Sequence, residues 1–353
     1  MARITAKDIA AKLGLSPAAV SLALNGRPGV SENTRSLVLE TAMQMGYSRQ
    51  ESGSGSRQPR TLCFVRYAGS VVSVAEHTSF SSFILQGIET RASELGYSTQ
   101  VRYLMAKDAY TPNNLESIRQ ADGILLLGTD ITEVQRHRIE LLLQALDSTP
   151  VVIIDNFLMA SKVDCVGNDC FGGARAAVEH LIQTGHQTIG YIRANHRIPN
   201  FLERERGILA ALADSGRALT VTIDVDISSE GAFQEFDAWV KQQNVLPDAF
   251  FAENDILAAA AIRVLKKHGY HVPEDVSIIG FDDIPTCEML DPPLSTVRCF
   301  KEELGAVAVD ILHRRITRNE IPHQSTNSAL LSTTLSTRFI PRFSVRKSKG
   351  AIR

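Results

Sequence analysis

Residues 16–26 read SPAAVSLALNG, and they decide how the first part of the chain is interpreted. Ser16 is a good helix N-cap, and Pro17 stands at the first helical position, where its fixed φ and missing N–H are tolerated. An apolar stripe at helical spacing follows: Val20, Ala23 and Leu24. The stretch therefore predicts a short helix that packs against the rest of the chain by one face.

The flanking residues predict a helix on either side of this one. Residues 6–13 are amphipathic, and Gly14 allows a sharp turn before the second helix. Val30 and Ser31 repeat the apolar-then-cap pattern before a third helix that Gly46 ends. The side chains expected on the inward face of the third helix are Leu37, Val38, Thr41, Ala42 and Met45. This order is the helix-turn-helix arrangement, which places its second helix in the major groove of DNA; a three-helix bundle for protein contacts is the alternative.

The composition bounds the rest of the molecule. With 353 residues, 44% hydrophobic and 22% charged, the chain is expected to be globular with two or three domains. The first 60 residues hold eight Lys or Arg and four Asp or Glu, whereas the whole chain has a net charge of −2. A basic head on an acidic body favours a polyanionic partner.

The five scattered cysteines form no CxxC pair, so no metal site is expected, and a reducing cytoplasm fits them. The beginning of the chain shows no secretory signal, and no membrane span is expected.

Residues 48–60, SRQESGSGSRQPR, contain no apolar residue and predict a flexible linker. The body beyond them alternates apolar strand-like runs with helical patterns. The predicted strands are 61–67, 98–104, 123–128, 151–155, 188–193, 248–253 and 276–281, and four helical patterns end in Gly96, Gly185, Gly216 and Gly269. Such alternation is typical of parallel sheets covered by helices, and the number of units predicts two lobes. A ligand is then expected in the cleft at the carboxyl ends of the strands.

The head segment TAKDIAAKLGLSPAAVSLALNGRPGVSENTRSLVLETAMQMGY resembles the DNA-binding head of the lactose-repressor (LacI/GalR) family. The body continues the resemblance with VGNDCFGGARAAVEHLIQTGHQTIGYI and FAENDILAAAAIRVLKKHGYHVPEDVSIIGFDDIPTCEMLDPPLSTVR, and the likeness runs from about residue 4 to about residue 340. It implies a cytoplasmic transcriptional regulator, usually a repressor, that binds a pseudo-palindromic operator in double-stranded DNA as a homodimer. A small effector, expected to be a carbohydrate, would occupy the cleft; neither a cofactor nor a catalytic residue is implied.

The fold class expected from this resemblance is an all-α helix-turn-helix head followed by an α/β, two-lobed, doubly wound body like that of the type I periplasmic binding proteins. The expected boundaries are a head at 1–47, a flexible linker at 48–60, a body at 61–342 and a basic tail at 343–353. Within the body, lobe 1 is expected at 61–156 and 291–321, and lobe 2 at 157–290 and 322–342.

The resemblance also assigns the DNA contacts. Pro17, Ala18 and Leu22 occupy positions that usually face base edges. Positions that contact phosphate or dock on the backbone are held by Thr5, Ser16, Ser21, Asn25, Val30, Ser31 and Thr34. From Ser16 to Leu24 there is no Arg, Lys, Asn or Gln to read base edges. Because small apolar side chains can still contact the thymine methyl group, an A·T-rich half-site is expected. Since the linker lacks an apolar wedge residue, little bending of the operator is expected.

The effector contacts implied by the resemblance are Phe80, Ser81, Asp155, Asp169, Arg204, Asp255 and Asp282. Arg204 and Asp255 are expected to face each other across the cleft, which suits a hydroxylated ligand. The alternatives are a surface Arg204 paired with Glu203 or Glu205, and an Asp255 that only caps the next helix. His180 and His186 are interpreted as structural.

Three other functions are weighed against this interpretation. A free-standing periplasmic sugar-binding protein would share the body but would not carry the basic head. An enzyme of the doubly wound class is disfavoured because the chain lacks a GxGxxG turn after the first strand, a Walker loop and a GxSxG elbow. A regulator of the same fold that responds to a protein partner or another non-sugar ligand stays open.

Overall fold

The structure is a computed structural model of the whole chain, and it contains two compact units, Met1–Gln58 and Pro59–Arg353. The residues it describes are 5–24, 29–45, 60–68, 78–105, 112–146, 149–160, 162–242, 245–319, 335–340 and 342–346. The expected linker at 48–60 lies outside these residues except for its last position, and so do Asn25 and Gly46. Within the described parts, no helix is both long and apolar enough to span a bilayer.

The head consists of three helices: α1 (Ala6–Leu13), α2 (Pro17–Leu24) and α3 (Glu32–Gln44). The expected caps are confirmed, because Ser16 Oγ accepts from Ala19 N at 3.1 Å and Ser31 Oγ accepts from Thr34 N at 3.2 Å. The buried core comprises Ile9, Ala10, Val20, Ala23, Val38 and Ala42. The inward placement of Leu37 was wrong. It is 50% exposed, because the buried stripe of α3 runs through Val38, Thr41 and Ala42 and leaves Leu37 beside it.

The body contains two sheets of six strands each. The lobe 1 sheet has the order β2 (Ser98–Met105), β1 (Thr61–Ala68), β3 (Gly123–Leu127), β4 (Val151–Ile154), β5 (Asp164–Asn168) and β11 (Ser336–Phe339), with all neighbours parallel. The lobe 2 sheet has the order β7 (Val221–Val225), β6 (Ile189–Ala194), β8 (Ala249–Ala252), β9 (Ser277–Asp282), β10 (Ser295–Arg298) and β12 (Arg342–Ser344). Only β12 runs antiparallel to its neighbour among these strands. The two-lobed α/β fold is therefore confirmed.

The helices of the body follow the strands in the alternation that the sequence predicts. They are α4 (Thr78–Glu94), α5 (Pro112–Arg119), α6 (Arg136–Leu146), α7 (Cys170–Gln183), α8 (Pro199–Asp214), α9 (Ser229–Lys241), α10 (Asp255–Lys267), α11 (Thr286–Met289) and α12 (Lys301–Asn319), with a 3-10 turn at Glu133–Gln135. Helices α4 and α12 pack together on lobe 1, whereas α7 and α8 pack together on lobe 2. The four predicted helix-ending glycines, Gly96, Gly185, Gly216 and Gly269, all have positive φ.

The expected boundaries between the lobes were wrong at all three crossings. The resemblance placed them near 156–157, 283–290 and 321–323, the last of which lies outside the described residues. The chain instead crosses after Asn168, at Cys299–Phe300 and between β11 and β12. The first error arises because β5, DCVGN, is short and polar and lacks a run of β-branched residues. The boundary of the basic tail was also wrong, since residues up to Arg346 belong to lobe 2, where Arg346 N donates to Ser295 Oγ at 2.7 Å.

The close approach of α4 and α12 requires glycine. A Cβ atom at Gly87 would lie 2.0 Å from the carbonyl oxygen of Glu302, and one at Gly305 would lie 2.2 Å from that of Ile84. The neighbouring atoms are backbone and cannot rotate away. Either helix would therefore have to shift to admit one methyl group.

We expect Gly87→Ala to lower the free energy of unfolding by about 2–3 kcal/mol, because overpacking against backbone cannot be relieved by a rotamer change. The adjacent exposed position supplies the control: Gln86→Ala should stay within about 0.5 kcal/mol of the parent. Urea denaturation followed by circular dichroism measures both. Equal stability of the two variants would contradict the helix contact.

Candidate functional site

Arg204 lies at the centre of the candidate effector site, on the inner face of α8. It is 4% exposed, donates from Nη1 to the carbonyl oxygen of Glu253 at 2.6 Å, and donates from Nη2 to Asp282 Oδ1 at 2.8 Å. Its guanidinium carbon also lies 3.8 Å from the centroid of the Phe281 ring. The alternative of a surface arginine is therefore wrong: Glu203 pairs with Arg206, and Glu205 pairs with Arg193 and Arg197.

Glu253 holds the carbonyl group that Arg204 contacts. Its buried carboxylate accepts from Ala194 N at 2.7 Å and from Arg197 Nη1 at 2.7 Å, and Tyr191 donates its hydroxyl to it as well. Burial raises the pKa of the Glu253 carboxyl, while the charge of Arg197 opposes the shift. These bonds fix the end of β8 and thereby fix one of the two acceptors of Arg204.

Asp155 brings lobe 1 to the same place. It follows β4 with a left-handed φ of 63°, and its Oδ2 accepts from Thr129 Oγ1 at 2.8 Å. Its carbonyl oxygen accepts from Asn200 Nδ2 of lobe 2 at 3.2 Å, so the two lobes touch at this point. Burial raises the pKa of the Asp155 carboxyl to about 7, although the Thr129 hydrogen bond and the positive charge of Arg204 oppose the shift.

Asp255 is differently placed from what the sequence suggested. It belongs to lobe 2 like Arg204, so the two side chains do not face each other across the cleft. Asn254, not Asp255, caps α10 by accepting from Leu257 N at 2.9 Å. The Asp255 carboxylate instead accepts from Thr296 Oγ1 at 2.5 Å and from Ile284 N at 3.0 Å. Burial, and after it the negative charge of Asp282, raise the pKa of Asp255 to about 7.

The remaining predicted effector residues have different roles in the structure. Asp282 ends β9 with a φ of 112° and is the carboxylate partner of Arg204. Asp169 caps α7 by accepting from Gly172 N at 3.0 Å. Phe80 and Ser81, near the start of α4, are buried, and Phe80 belongs to the hydrophobic core. His186 is structural as expected, since its ring bonds to the Leu181 carbonyl and to Ser277 Oγ.

Sequence reasoning missed several residues at this site. They are Thr129, Asn200, Glu253, Phe281 and Lys301, the last of which donates from Nζ to the carbonyl oxygen of Asp282 at 2.6 Å. A signal existed for Asn200, which precedes Arg204 by one helical turn and so shares its face of α8. The others are brought together by strand order in the sheets, which separations along the chain do not reveal.

In the head, the exposed surface of α2 carries Pro17, Ala18 and Ser21, whereas Leu22 is half-buried. Ser16 accepts the capping bond and retains an O–H to donate. The hydroxyl of Thr5 donates to Asp8 Oδ2 at 2.7 Å, so its hydrogen is already bonded to a carboxylate within the head. The other described candidates lie at the start of α3: Val30 and Thr34 are half-buried, and Ser31 is exposed.

The raised pKa of Asp255 predicts a pH-dependent stability. A carboxyl whose pKa is higher in the folded than in the unfolded state stabilises the fold at low pH, and this contribution falls as pH rises from about 4 to about 7. Asp255→Asn retains a neutral side chain at every pH. We therefore expect the stability of the parent relative to this variant to fall by about 2–3 kcal/mol between pH 5 and 8, since one pKa unit corresponds to about 1.4 kcal/mol.

Urea denaturation at each pH measures the difference. Asp224→Asn is the control, because its hydrogen bond and ion pair with Arg193, which stays charged throughout, hold the pKa of Asp224 below its usual range. Its effect should be nearly constant over the same interval. A constant difference for Asp255→Asn as well would contradict the raised pKa.

Comparison with known proteins agrees with this architecture. A family model described as "Bacterial regulatory proteins, lacI family" matches residues 5–50, and one described as "Periplasmic binding protein-like domain" matches residues 178–344. The HTH-type transcriptional repressor PurR of Haemophilus influenzae (strain PittEE) is 30% identical over 323 residues, which cover 90% of this chain and 92% of the relative. PurR of Mannheimia succiniciproducens is 27% identical over 328 residues, covering 91% and 94%.

Solved structures give the same result. A complex of the transcriptional regulator CelR with cellobiose has a TM-score of 0.64 and 25% identity, covering 98% of this chain and 100% of that one. A Lac repressor dimer bound to operator and an anti-inducer has a TM-score of 0.68 and 21% identity, covering 98% and 99%. The protein is a DNA-binding transcriptional repressor with a small-molecule effector, and it is not an enzyme. A helix-turn-helix head, a two-lobed body and a relative that matches almost throughout together show that this chain belongs to the LacI family of bacterial regulatory proteins.

Proposed function

We propose that the effector is a neutral, hydroxyl-bearing molecule of the sugar class, bound at Arg204 and Asp282. The observation that carries this is the 2.8 Å ion pair between them at the carboxyl ends of the lobe 2 strands. One guanidinium is matched there by one carboxylate, so the pair adds no net charge for an ionic ligand to neutralise. A hydroxyl group can donate to the carboxylate and accept from the guanidinium at the same time.

Three further features support a ligand at this place. Asp155 approaches from lobe 1, and its pKa of about 7 leaves it protonated about half of the time at neutral pH. The protonated carboxyl can both donate and accept. Arg204 Nε is buried without a hydrogen-bond partner among the described residues. The CelR relative, matched over nearly the whole chain, is a complex with cellobiose.

The same proposal extends to DNA. The protein acts as a homodimer in the cytoplasm, where two heads bind a pseudo-palindromic operator, since one head of this size offers too few contacts for specific affinity. Ser16, Ser21, Asn25 and Ser31 contact phosphates, with Thr5, Val30 and Thr34 docking beside them. Pro17, Ala18 and Leu22 face the bases and favour thymine methyl groups.

Isothermal titration of the full chain tests the effector proposal, with cellobiose, ribose and hypoxanthine as the probes. We expect a sugar to bind and Arg204→Met to weaken that binding by about 10- to 100-fold, because charge-assisted hydrogen bonds are worth about 1.5–3 kcal/mol each. Arg206→Met, two residues further along α8, removes an exposed arginine and should leave affinity unchanged. Binding of hypoxanthine alone would overturn the sugar class.

Selection of bound duplexes from a random pool tests the DNA proposal. We expect paired half-sites dominated by A·T, because exposed α2 side chains offer methyl and shape contacts in place of bidentate hydrogen bonds. Ala18→Arg supplies a guanidinium at an exposed position of α2 and should shift the selection towards G at one base pair. Half-sites rich in G·C with the parent protein would refute the proposed mode of recognition.

A further inference from the structure

Two consecutive residues at the end of β9 have a positive φ, a backbone conformation that residues other than glycine rarely adopt. Asp282 has a φ of 112° and Asp283 a φ of 55°. Such residues persist only where the surroundings hold them, at a cost of about 1–3 kcal/mol each. A side chain that holds this turn therefore stabilises a backbone conformation that would otherwise be unfavourable.

That side chain is Lys301, the first residue of α12. Its Nζ donates to the carbonyl oxygen of Asp282 at 2.6 Å and to that of Asp283 at 3.1 Å. The residue is only 5% exposed, and the Phe83 ring of α4 lies 5.8 Å from the ammonium. Burying an ammonium group costs free energy unless it is hydrogen-bonded, and the hydrogen bonds to these two carbonyl groups offset that cost.

The contact joins the two lobes. Lys301 follows the crossing at Cys299–Phe300 and stands on lobe 1, where α12 packs against α4 and the β3, β4 and β5 strands. Its two acceptors end β9 in lobe 2. A rotation of one lobe relative to the other changes the distance between the ammonium and these carbonyl groups.

The same turn carries groups of the effector site. The Asp282 carboxylate receives the Arg204 guanidinium, and Ile284 N donates to Asp255 at 3.0 Å. Asp283 is held from the other side by Arg346, whose Nη1 lies 2.8 Å from its Oδ1. Lys301 is hydrogen-bonded to the backbone of Asp282 and Asp283. This backbone therefore sets the position of the carboxylate that pairs with Arg204.

We propose that Lys301 is a positioning residue that couples the angle between the lobes to the effector-binding carboxylate of Asp282. When the lobes are arranged as in this structure, Lys301 holds the turn and Asp282 meets Arg204. When the lobes rotate apart, the turn is released and the carboxylate loses its position. By linkage, an effector bound at Asp282 favours the arrangement in which Lys301 is engaged. The last step rests on the proposed effector site, whereas the coupling between lobe and turn does not.

The first experiment needs no effector. Hydrogen–deuterium exchange of the Ile284 amide is compared in the full-length parent and in Lys301→Arg, Lys301→Gln and Lys301→Met. We expect exchange to increase in that order, by roughly 10-fold for Lys301→Met, as fewer donors remain to hold the turn. The amide of Ile192 in the middle of the lobe 2 sheet should not change. Lys266→Met, which removes an exposed lysine of the same lobe, is the control.

Spin labels at two exposed sites, Gln144→Cys in lobe 1 and Gln234→Cys in lobe 2, report the distance between the lobes in the same series. The five native cysteines are buried. We expect a broader and longer distance distribution for Lys301→Gln and Lys301→Met but not for Lys301→Arg. If Lys301→Met does not fold, the arginine and glutamine variants still decide the order.

Titration with cellobiose completes the test, with an expected loss of about 10-fold in affinity for Lys301→Met and near-parent affinity for Lys301→Arg. Unchanged exchange at Ile284 together with an unchanged label distance would overturn the coupling. Equal increases at Ile284 and Ile192 would also overturn it, because they would show a general loss of stability. Failure of both cellobiose and ribose to bind the parent would count against the proposed effector and leave the exchange and distance results to decide the coupling.

Discussion

The buried guanidinium of Arg204 is the constraint around which the lobe 2 site is arranged. A charge taken out of water is costly, and removing one partner from a buried pair destabilises a protein by about 3–5 kcal/mol. Arg204 is compensated by a carbonyl at the end of β8, a carboxylate at the end of β9 and the face of Phe281. Each of these is held in turn: Glu253 by Tyr191 and Arg197, and the Asp282 turn by Lys301. The order of the strands and the crossing at Cys299–Phe300 are what bring these groups together.

Local features of the sequence were sufficient to predict much of the fold. The caps at Ser16 and Ser31 and the glycine helix stops depend on neighbours within one turn of helix, and the structure confirms them. Strand β5 was missed because DCVGN has no apolar alternation and gains its stability from β4 and β11 on either side. Without β5, lobe 1 ended too early. The error at the first crossing therefore has one physical origin, a strand that pairing rather than propensity specifies.

The effector site was predicted in its residues more than in its geometry. Arg204 and Asp282 lie together, but Asp255 lies beside them in the same lobe and bonds to Thr296 and Ile284. The expected lobe 2 at 157–290 already holds both Arg204 and Asp255, so a contact across the cleft conflicted with the expected boundaries. The position of Asp255 beside Asp282 depends on the pairing of β8 with β9, which is not local. Lys301 was missed for a related reason: it donates to a backbone carbonyl of the opposite lobe, and a sequence does not show which carbonyl groups act as acceptors. Asn200 also donates to a carbonyl of the opposite lobe, but its position one helical turn before Arg204 is a signal that the sequence contains.

The described surface of the recognition helix limits how such a head can discriminate between DNA sequences. A bidentate hydrogen bond to a base contributes about 1–3 kcal/mol of discrimination, and Pro17, Ala18 and Ser21 offer no side chain that can form one. In the proposed mode of recognition, methyl contacts and groove shape supply the preference of α2. Hydroxyl groups such as that of Ser16 add affinity for phosphate without adding sequence information. Specificity in this arrangement therefore depends on summing weak preferences over two half-sites. A homodimer would add the preferences of its two half-sites, so dimerisation would raise specificity as well as affinity.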